Sequence, residues 1–194
     1  NAMGGFHQRH PGVAGAALAH AEQAELILDL LHVHPGAIRA ALRAIPRLYA
    51  VTDSTSAAGM PDGPYRLGRQ TVHKRDGGVR LANGTLAGST LTMDQALRNL
   101  VALGLPLADA SARTSSHAAH YLGITDRGLL QPGAWADLVL LHPHTLQLQQ
   151  VFVEGEAIDH VAPWAGTALA RRIGLADAPG GAAGASRGRH PAAG

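Results

Sequence analysis

Apolar runs alternate with an amphipathic segment early in the chain, and this alternation predicts a strand, a helix and a second strand. Residues 24–34 form the first apolar run and predict a buried strand. Pro35 favours a helix start, because a proline at the first helical position loses no intrahelical hydrogen bond. Apolar residues then recur every three or four positions up to Pro46, and residues 48–51 predict the second strand. This order with short connections is typical of a parallel sheet.

The pattern changes after the second strand. Short β-like pieces surround an Asp-Gly-Gly turn at 76–78, which is a hairpin signal, so we interpret residues 64–82 as a β-hairpin insertion. Thr92 and Gln95 have the spacing of a capping box, and apolar residues follow at helical intervals. They predict a helix over residues 92–103.

The last patterned stretch predicts one more helix and a small sheet. Pro106 opens a helix over about 107–121, with Gly123 as the residue just past its end. Residues 137–141 and 150–156 predict two strands joined by a turn. The overall pattern therefore predicts an α/β fold.

Composition limits the range of functions. Beyond about residue 165 the 194-residue chain is mostly Ala, Gly, Pro, Arg and His without apolar periodicity, which predicts a flexible tail. A net charge of +2 is too weak for a nucleic-acid-binding face. The absence of Cys excludes disulfides, thiolate zinc sites and cysteine nucleophiles. No apolar run reaches the roughly 18 residues of a membrane span, and no signal peptide is evident, so we expect a cytoplasmic protein without membrane or nucleic-acid partners.

One carboxylate has the position that catalysis requires. Asp53 follows the second predicted strand directly, and α/β barrels carry their catalytic residues at the C-terminal ends of their strands. The alternative is a helix N-cap or a turn residue.

The histidine at the end of the preceding strand, His32, is expected to face the same cavity as Asp53. Because alternate strand residues share a face, His32 and His34 could instead form a metal-binding pair. Pro35 disfavours that pair, since it indicates that His34 is already leaving the strand.

Four segments in this order and spacing carry a family resemblance: residues 1–12 (Asn-Ala-Met, His-Gln-Arg and Pro-Gly), 29–35, 51–53 and, most specifically, 83–93. The chain resembles the N-acetylglucosamine-6-phosphate deacetylase family of the amidohydrolase superfamily from residue 1 to about residue 160. Members of this family hydrolyse the acetamide of N-acetylglucosamine 6-phosphate, giving glucosamine 6-phosphate and acetate in amino-sugar catabolism.

The resemblance implies only the C-terminal half of such an enzyme. Residues 1–125 would be the C-terminal portion of a TIM-type (β/α)8 barrel, roughly its last two to three strands, with the hairpin insertion. Residues 126–162 would be strands of a small β-sandwich domain, and residues 163–194 the flexible tail. The complete enzyme is expected to be a homodimer.

The resemblance also implies roles for individual residues. Asp53 matches the catalytic carboxylate, which activates a metal-bound water and then protonates the leaving amine. The positions that match substrate-binding residues are Asn1, Ala2, Arg9, His32, Leu86, Ala87 and Gly88. Among them Arg9 matches the phosphate-binding arginine, and residues 86–88 match the loop that closes on the substrate.

The chain departs from the family pattern at the metal site. The family ligands, one glutamate and two histidines, would lie upstream of Asn1, so the divalent metal, zinc or iron, is expected to be held outside this chain. Asn1 and Ala2 also fit an expression-tag scar before an initiator Met. Leu30 stands where the family usually has Gly, and residues 116–118 are Ser-His-Ala where it commonly has Asn-Pro-Ala.

Two alternative functions remain open. The chain could be an inactive truncated fragment that lacks the metal ligands and either binds sugar phosphate or associates through an exposed barrel edge. It could also be an amidohydrolase that acts on another N-acyl amine.

Overall fold

The computed structural model describes residues 3–158, and the predicted βαβ unit is present in it. After helix α1 (Gly12–His20), strand β1 (Gln23–Ile27), helix α2 (Pro35–Ala44) and strand β2 (Arg47–Val51) follow in order. The two strands are parallel and in continuous register from Gln23 opposite Arg47 to Ile27 opposite Val51. Asn1, Ala2 and the predicted tail lie outside the described residues.

The first strand is shorter than predicted. It ends at Ile27, whereas the apolar run suggested a strand as far as residue 34. The Asp29 side chain binds the backbone of the residues after it, and Leu30 has φ +65°, which is incompatible with a strand. His34 then serves as the N-cap of α2, accepting a hydrogen bond from the Gly36 N–H at 3.1 Å.

The main core lies between the parallel strands and the helices. Its fully buried side chains include Leu28, Ile38, Leu48 and Leu100. Burying a side chain of this kind stabilises the fold by about 1.5–3 kcal/mol. The helices on the C-terminal side of this core are α3 (Met93–Ala102), α4 (Leu107–Thr114) and α5 (Ser116–Tyr121).

Helix α3 is present as predicted, but the predicted capping box at its start is not. Thr92 occupies the N-cap position without a side-chain cap hydrogen bond. The Gln95 side chain donates to Asn99 and accepts from Arg98 rather than reaching back to the N-cap. The capping-box interpretation was therefore wrong, although the helix begins within one residue of the predicted start.

The helix predicted over 107–121 is divided into α4 and α5. Ser115 interrupts it with φ −147° and ψ −79°. The Thr114 hydroxyl donates to the carbonyls of Ala110 and Ser111, and hydroxyl groups that bind the preceding turn in this way bend helices. Gly123, at φ +70°, follows the end of α5 as predicted.

The β-like pieces predicted around residues 76–78 form a three-stranded antiparallel sheet of β3 (Gly63–Leu67), β4 (Gln70–Arg75) and β5 (Gly78–Arg80). Asp76 and Gly77 form the tight turn between β4 and β5, both with positive φ as such turns require. Val72 and Val79 from this sheet are fully buried with Ala57, forming a second, smaller core.

The C-terminal described region is a second antiparallel sheet, of β6 (Leu138–Leu141), β7 (Leu148–Val153) and β8 (Glu156–Ile158). Two strands were predicted, but a turn at Glu154 and Gly155 divides the second apolar run. The described chain is thus a mixed α/β structure. Within residues 3–158 no helix is long and apolar enough to cross a membrane.

Candidate active site

The turn after β1 brings a carboxylate and an imidazole together. Asp29 Oδ1 accepts hydrogen bonds from the N–H groups of Leu31 and His32, each at 3.0 Å. Asp29 Oδ2 lies 2.7 Å from His32 Nδ1. The exposed fractions of the His32 and Asp29 side chains are 11% and 7%. The ring is therefore held in one orientation within a largely buried turn.

The electrostatics of this turn favour the charged form of Asp29. Burial by itself raises the pKa of the carboxyl group, because it penalises the anion. Hydrogen bonds from the backbone and ring of His32 and from the Leu31 N–H outweigh burial, and the pKa of Asp29 is lowered. Since the carboxylate only accepts hydrogen bonds, His32 Nδ1 carries a proton and Nε2 is the ring nitrogen directed away from Asp29.

Ser89 connects this turn to the end of β2. The buried Ser89 hydroxyl donates to Asp29 Oδ2 at 3.2 Å and accepts from the Leu91 N–H at 2.9 Å. Its backbone N–H donates to the Asp53 carbonyl at 2.7 Å, and Ser89 forms a parallel bridge with Ser54. Asp53 and His32 are thus linked through two residues, Ser89 and Asp29, to which the sequence analysis assigned no role. Both residues could have been identified from the sequence, because they lie inside the motifs that carry the resemblance.

Asp53 lies just past the end of β2, in the left-handed conformation with φ +49°, and it is exposed. Gly88, at φ +82°, passes close beside it. A Cβ added to Gly88 would lie 2.4 Å from Thr55 Cγ2 and 3.2 Å from the Asp53 carbonyl oxygen. Only glycine therefore permits this approach of the two backbone segments.

The loop at 86–88 is anchored to the hairpin sheet. Leu86 forms an antiparallel bridge with Arg80, and the Ala87 N–H donates to the Val79 carbonyl at 2.9 Å. The three predicted loop residues thus lie between the hairpin sheet and Asp53.

His32 lines a cleft of about 330 Å³ beside β1, together with Met3 and Gly4. Met3 and Gly4 directly follow Asn1 and Ala2 in the chain, and they lie on the same cleft as His32. Asp53 is not among the residues that line it, so the expectation that His32 and Asp53 face the same cavity is not met within residues 3–158. Arg9 is exposed, in a turn closed by a bridge between His7 and His10.

The described residues do not fit a resident metal ion by themselves. Among residues 3–158, no group of three His, Asp or Glu side chains is placed to hold one. His34 does not extend into a strand beside His32, because its Nδ1 caps α2. The alternative metal pair of His32 and His34 gains no support from this geometry.

Comparison with known proteins gives consistent matches. The amidohydrolase family model matches residues 18–169, and this family generally uses a divalent metal. N-acetylglucosamine-6-phosphate deacetylase of Lysinibacillus sphaericus is 43% identical over 155 residues, covering 78% of this chain and 40% of that protein. A putative N-acetylgalactosamine-6-phosphate deacetylase of Escherichia coli K12 is also 43% identical, over 160 residues, covering 80% of this chain and 95% of that protein.

Solved structures agree. The N-acetylglucosamine-6-phosphate deacetylase of Thermotoga maritima matches with a TM-score of 0.73 and 36% identity, covering 79% of this chain and 43% of that chain. A mutant of the Mycobacterium smegmatis enzyme in complex with N-acetyl-D-glucosamine-6-phosphate has a TM-score of 0.73 and 37% identity, covering 81% of this chain and 43% of that chain. The chain therefore spans about two fifths of the length of most relatives described here.

Proposed function

Because this chain belongs to the amidohydrolase family, we propose that it contributes the C-terminal part of a deacetylase that releases acetate from N-acetylglucosamine 6-phosphate. The resemblance to the deacetylases found in the sequence is confirmed by relatives that are amide hydrolases. The observation that carries the proposal is the 43% identity to a deacetylase over 155 residues, and the amidohydrolase match over residues 18–169 holds both His32 and Asp53.

Asp53 is the proposed proton carrier. The oxygen of a water molecule attacks the acetyl carbonyl carbon, Asp53 accepts the proton that this water loses, and the carboxyl group returns it to the amide nitrogen as the C–N bond breaks. The products are acetate and the amine. The exposed position of Asp53 just past the end of β2 supports this role, because its carboxylate is accessible to a ligand.

The remaining positions bind and orient the sugar phosphate in this proposal. His32 contacts the substrate from the cleft beside β1, and backbone groups of the loop at 86–88 close over it next to Asp53. Arg9 binds the phosphate, for which the guanidinium group offers two parallel donors. Asn1 and Ala2 complete the set as substrate contacts.

We further propose the architecture that the resemblance implies. Residues 1–125 would complete a (β/α)8 barrel, 64–82 would be the insertion, 126–162 would belong to a small β-sandwich domain, and 163–194 would be a tail. The parallel pair β1 and β2, with helices packed against it, supports the barrel assignment. Zinc or iron remains the proposed metal, but we assign no step to it because residues 3–158 lack a set of ligands.

A second candidate is a chain of this size that binds sugar phosphate without hydrolysing it. The Escherichia coli K12 relative, of which this chain covers 95%, shows that relatives of similar length occur. In that case Asp53 would have no turnover to support, and binding through His32 would remain.

A substrate panel tests the proposed function. The matched segment of the Mycobacterium smegmatis enzyme is replaced by this chain, and acetate release is measured with N-acetylglucosamine 6-phosphate, its galacto epimer and unphosphorylated N-acetylglucosamine. We expect release from a phosphorylated sugar and a higher KM without phosphate. A folded chimera that binds the phosphorylated sugars and releases no acetate would favour the binding-only candidate.

The galacto epimer is included because relatives acting on the two sugars by name are equally similar, at 43% identity. Faster acetate release from the galacto sugar would support the proposed reaction and show that the galacto epimer is the preferred substrate. Equal release from phosphorylated and unphosphorylated sugars would contradict the role proposed for Arg9.

A further inference from the structure

Asp29 is a largely buried carboxylate to which the proposed reaction assigns no role. Its two carboxylate oxygens make different contacts. Oδ1 accepts only backbone N–H groups, those of Leu31 and His32. Within residues 3–158, Oδ2 contacts two side chains, the His32 ring at 2.7 Å and the Ser89 hydroxyl at 3.2 Å.

These separate contacts of the two oxygens fix the orientation of the His32 imidazole ring. The backbone contacts to Oδ1 hold the carboxylate in the turn, and Oδ2 then accepts the proton on His32 Nδ1. Ser89 prevents the carboxylate from rotating away, because its hydroxyl is itself held by the Leu91 N–H. Both contacts together leave Nε2 as the ring nitrogen directed away from Asp29.

We propose that Asp29 is a positioning residue for His32: it keeps the imidazole proton on Nδ1, so that Nε2 is the atom presented to the sugar phosphate. This inference rests on the proposed function for the identity of the ligand only. The state of the ring is a property of the chain without any ligand.

The same geometry predicts an unusual effect of Asp29→Asn. The backbone N–H groups of Leu31 and His32 require an oxygen at the Oδ1 position, so the amide NH₂ of the asparagine must take the Oδ2 position. That NH₂ donates, and His32 Nδ1 must then accept. The turn is preserved while the imidazole proton moves from Nδ1 to Nε2.

Nitrogen NMR of the 194-residue chain shows directly which nitrogen of His32 carries the proton. With ¹⁵N-labelled histidine, the Nδ1 and Nε2 shifts of a neutral ring show which nitrogen carries the proton, and His32→Gln identifies the His32 signals among the 12 histidines. We expect the Nδ1–H form in the unsubstituted chain and the Nε2–H form in Asp29→Asn. Asp76→Asn, at an exposed hairpin turn, is the matched control and should leave the ring unchanged.

Titration of the same samples with N-acetylglucosamine 6-phosphate tests whether His32 Nε2 is presented to the sugar phosphate. We expect the His32 Nε2 signal to shift on binding, and the Kd of Asp29→Asn to rise by about tenfold or more. An unchanged circular dichroism spectrum and a cooperative unfolding transition would show that the Asp29→Asn chain is folded. Ser89→Ala should leave the proton on Nδ1 and raise the Kd less.

The outcomes separate the two proposals. An Nε2–H ring in the unsubstituted chain, or an unchanged ring in Asp29→Asn, overturns the positioning role whatever the substrate is. An Nδ1–H ring that reverses in Asp29→Asn, with no response of His32 to the sugar phosphate in either protein, supports the control of the proton and overturns the proposed role of His32 in binding.

Discussion

At the scale of single residues, two non-glycine residues of the site adopt the left-handed conformation, Leu30 at φ +65° and Asp53 at φ +49°. Such a backbone costs an L-residue roughly 1–2 kcal/mol. The strain occurs at the two turns that carry the proposed site residues. Leu30 also stands where the resembling family usually has glycine, which needs no strain to adopt this φ.

The strain at Leu30 can be measured with a pair of variants. Leu30→Ala and Leu30→Gly both remove the contact of this half-buried side chain with the main core, so they differ only in backbone preference. We expect Leu30→Gly to be the more stable by about 0.5–1 kcal/mol in urea unfolding, the reverse of the order at ordinary positions. A more stable alanine variant would show that the turn is not left-handed in solution.

Gly88 should tolerate alanine less than a glycine of the same backbone class. Gly88→Ala places a methyl group against Thr55 and the Asp53 carbonyl, whereas Gly84, at φ +86°, has open space where its Cβ would be. We expect Gly88→Ala to lower the free energy of unfolding by about 1–3 kcal/mol more than Gly84→Ala does. Equal losses would mean that the loop does not pass so close to Asp53.

The lowered pKa of Asp29 predicts a pH dependence of stability. A carboxyl group whose folded pKa lies below its unfolded value stabilises the fold above the unfolded value, and this contribution is lost as the pH falls through the folded pKa. We therefore expect the difference in unfolding free energy between the unsubstituted chain and Asp29→Asn to be constant near neutral pH. It should shrink below about pH 3.8, the ordinary aspartate value.

Denaturant titrations of both proteins from neutral to acid pH measure this difference, and groups common to both, such as Asp94, largely cancel. A difference that grows as the pH falls would contradict the lowered pKa.

At the scale of elements, hydrophobic periodicity predicted α2, β2, the hairpin sheet and α3, because each has a regular pattern bounded by turn residues. The end of β1 could not be found this way. The apolar pattern continues through Leu30 and Leu31, and only the side-chain contacts of Asp29 show that the strand has ended. The Ser89 hydroxyl, which donates to Asp29 Oδ2, lies 60 positions further along the chain.

The break between α4 and α5 was missed for a related reason. Hydroxyl groups at Thr114 and Ser116 bind carbonyls of the preceding turn, a local competition that periodicity does not record. The candidate site shows the same division. The residues inside the motifs were identified, and the geometry that joins them was not.

Helix α4 should depend on one buried arginine. Arg113, 7% exposed, donates to the Leu48 carbonyl in β2 at 2.9 Å and pairs with Asp109 at 3.2 Å. Arg113→Ala removes that donor from a buried carbonyl and should cost about 1–3 kcal/mol of unfolding free energy. Arg75→Ala, from an exposed pair with Asp76, is the control and should leave the unfolding midpoint unchanged. Equal midpoints for the two variants would contradict the proposed link.

At the scale of the whole molecule, the chain matches about two fifths of most relatives, and its described part is built accordingly. The parallel sheet has two strands, and the C-terminal region exposes large apolar side chains, among them Leu130 at 89% and Val139 at 57%. Exposed apolar surface of this kind marks regions that contact other protein. The proposal that further barrel strands complete the molecule accounts for both features.

In the proposed reaction, Asp53 carries the proton during amide hydrolysis. The most direct test is acetate release from N-acetylglucosamine 6-phosphate by the Mycobacterium smegmatis chimera with and without Asp53→Asn, together with the KM of each protein. We expect a kcat at least about 100-fold lower in Asp53→Asn, with a KM within a few-fold and an unchanged unfolding midpoint. A kcat in Asp53→Asn close to that of the unsubstituted chimera would contradict it.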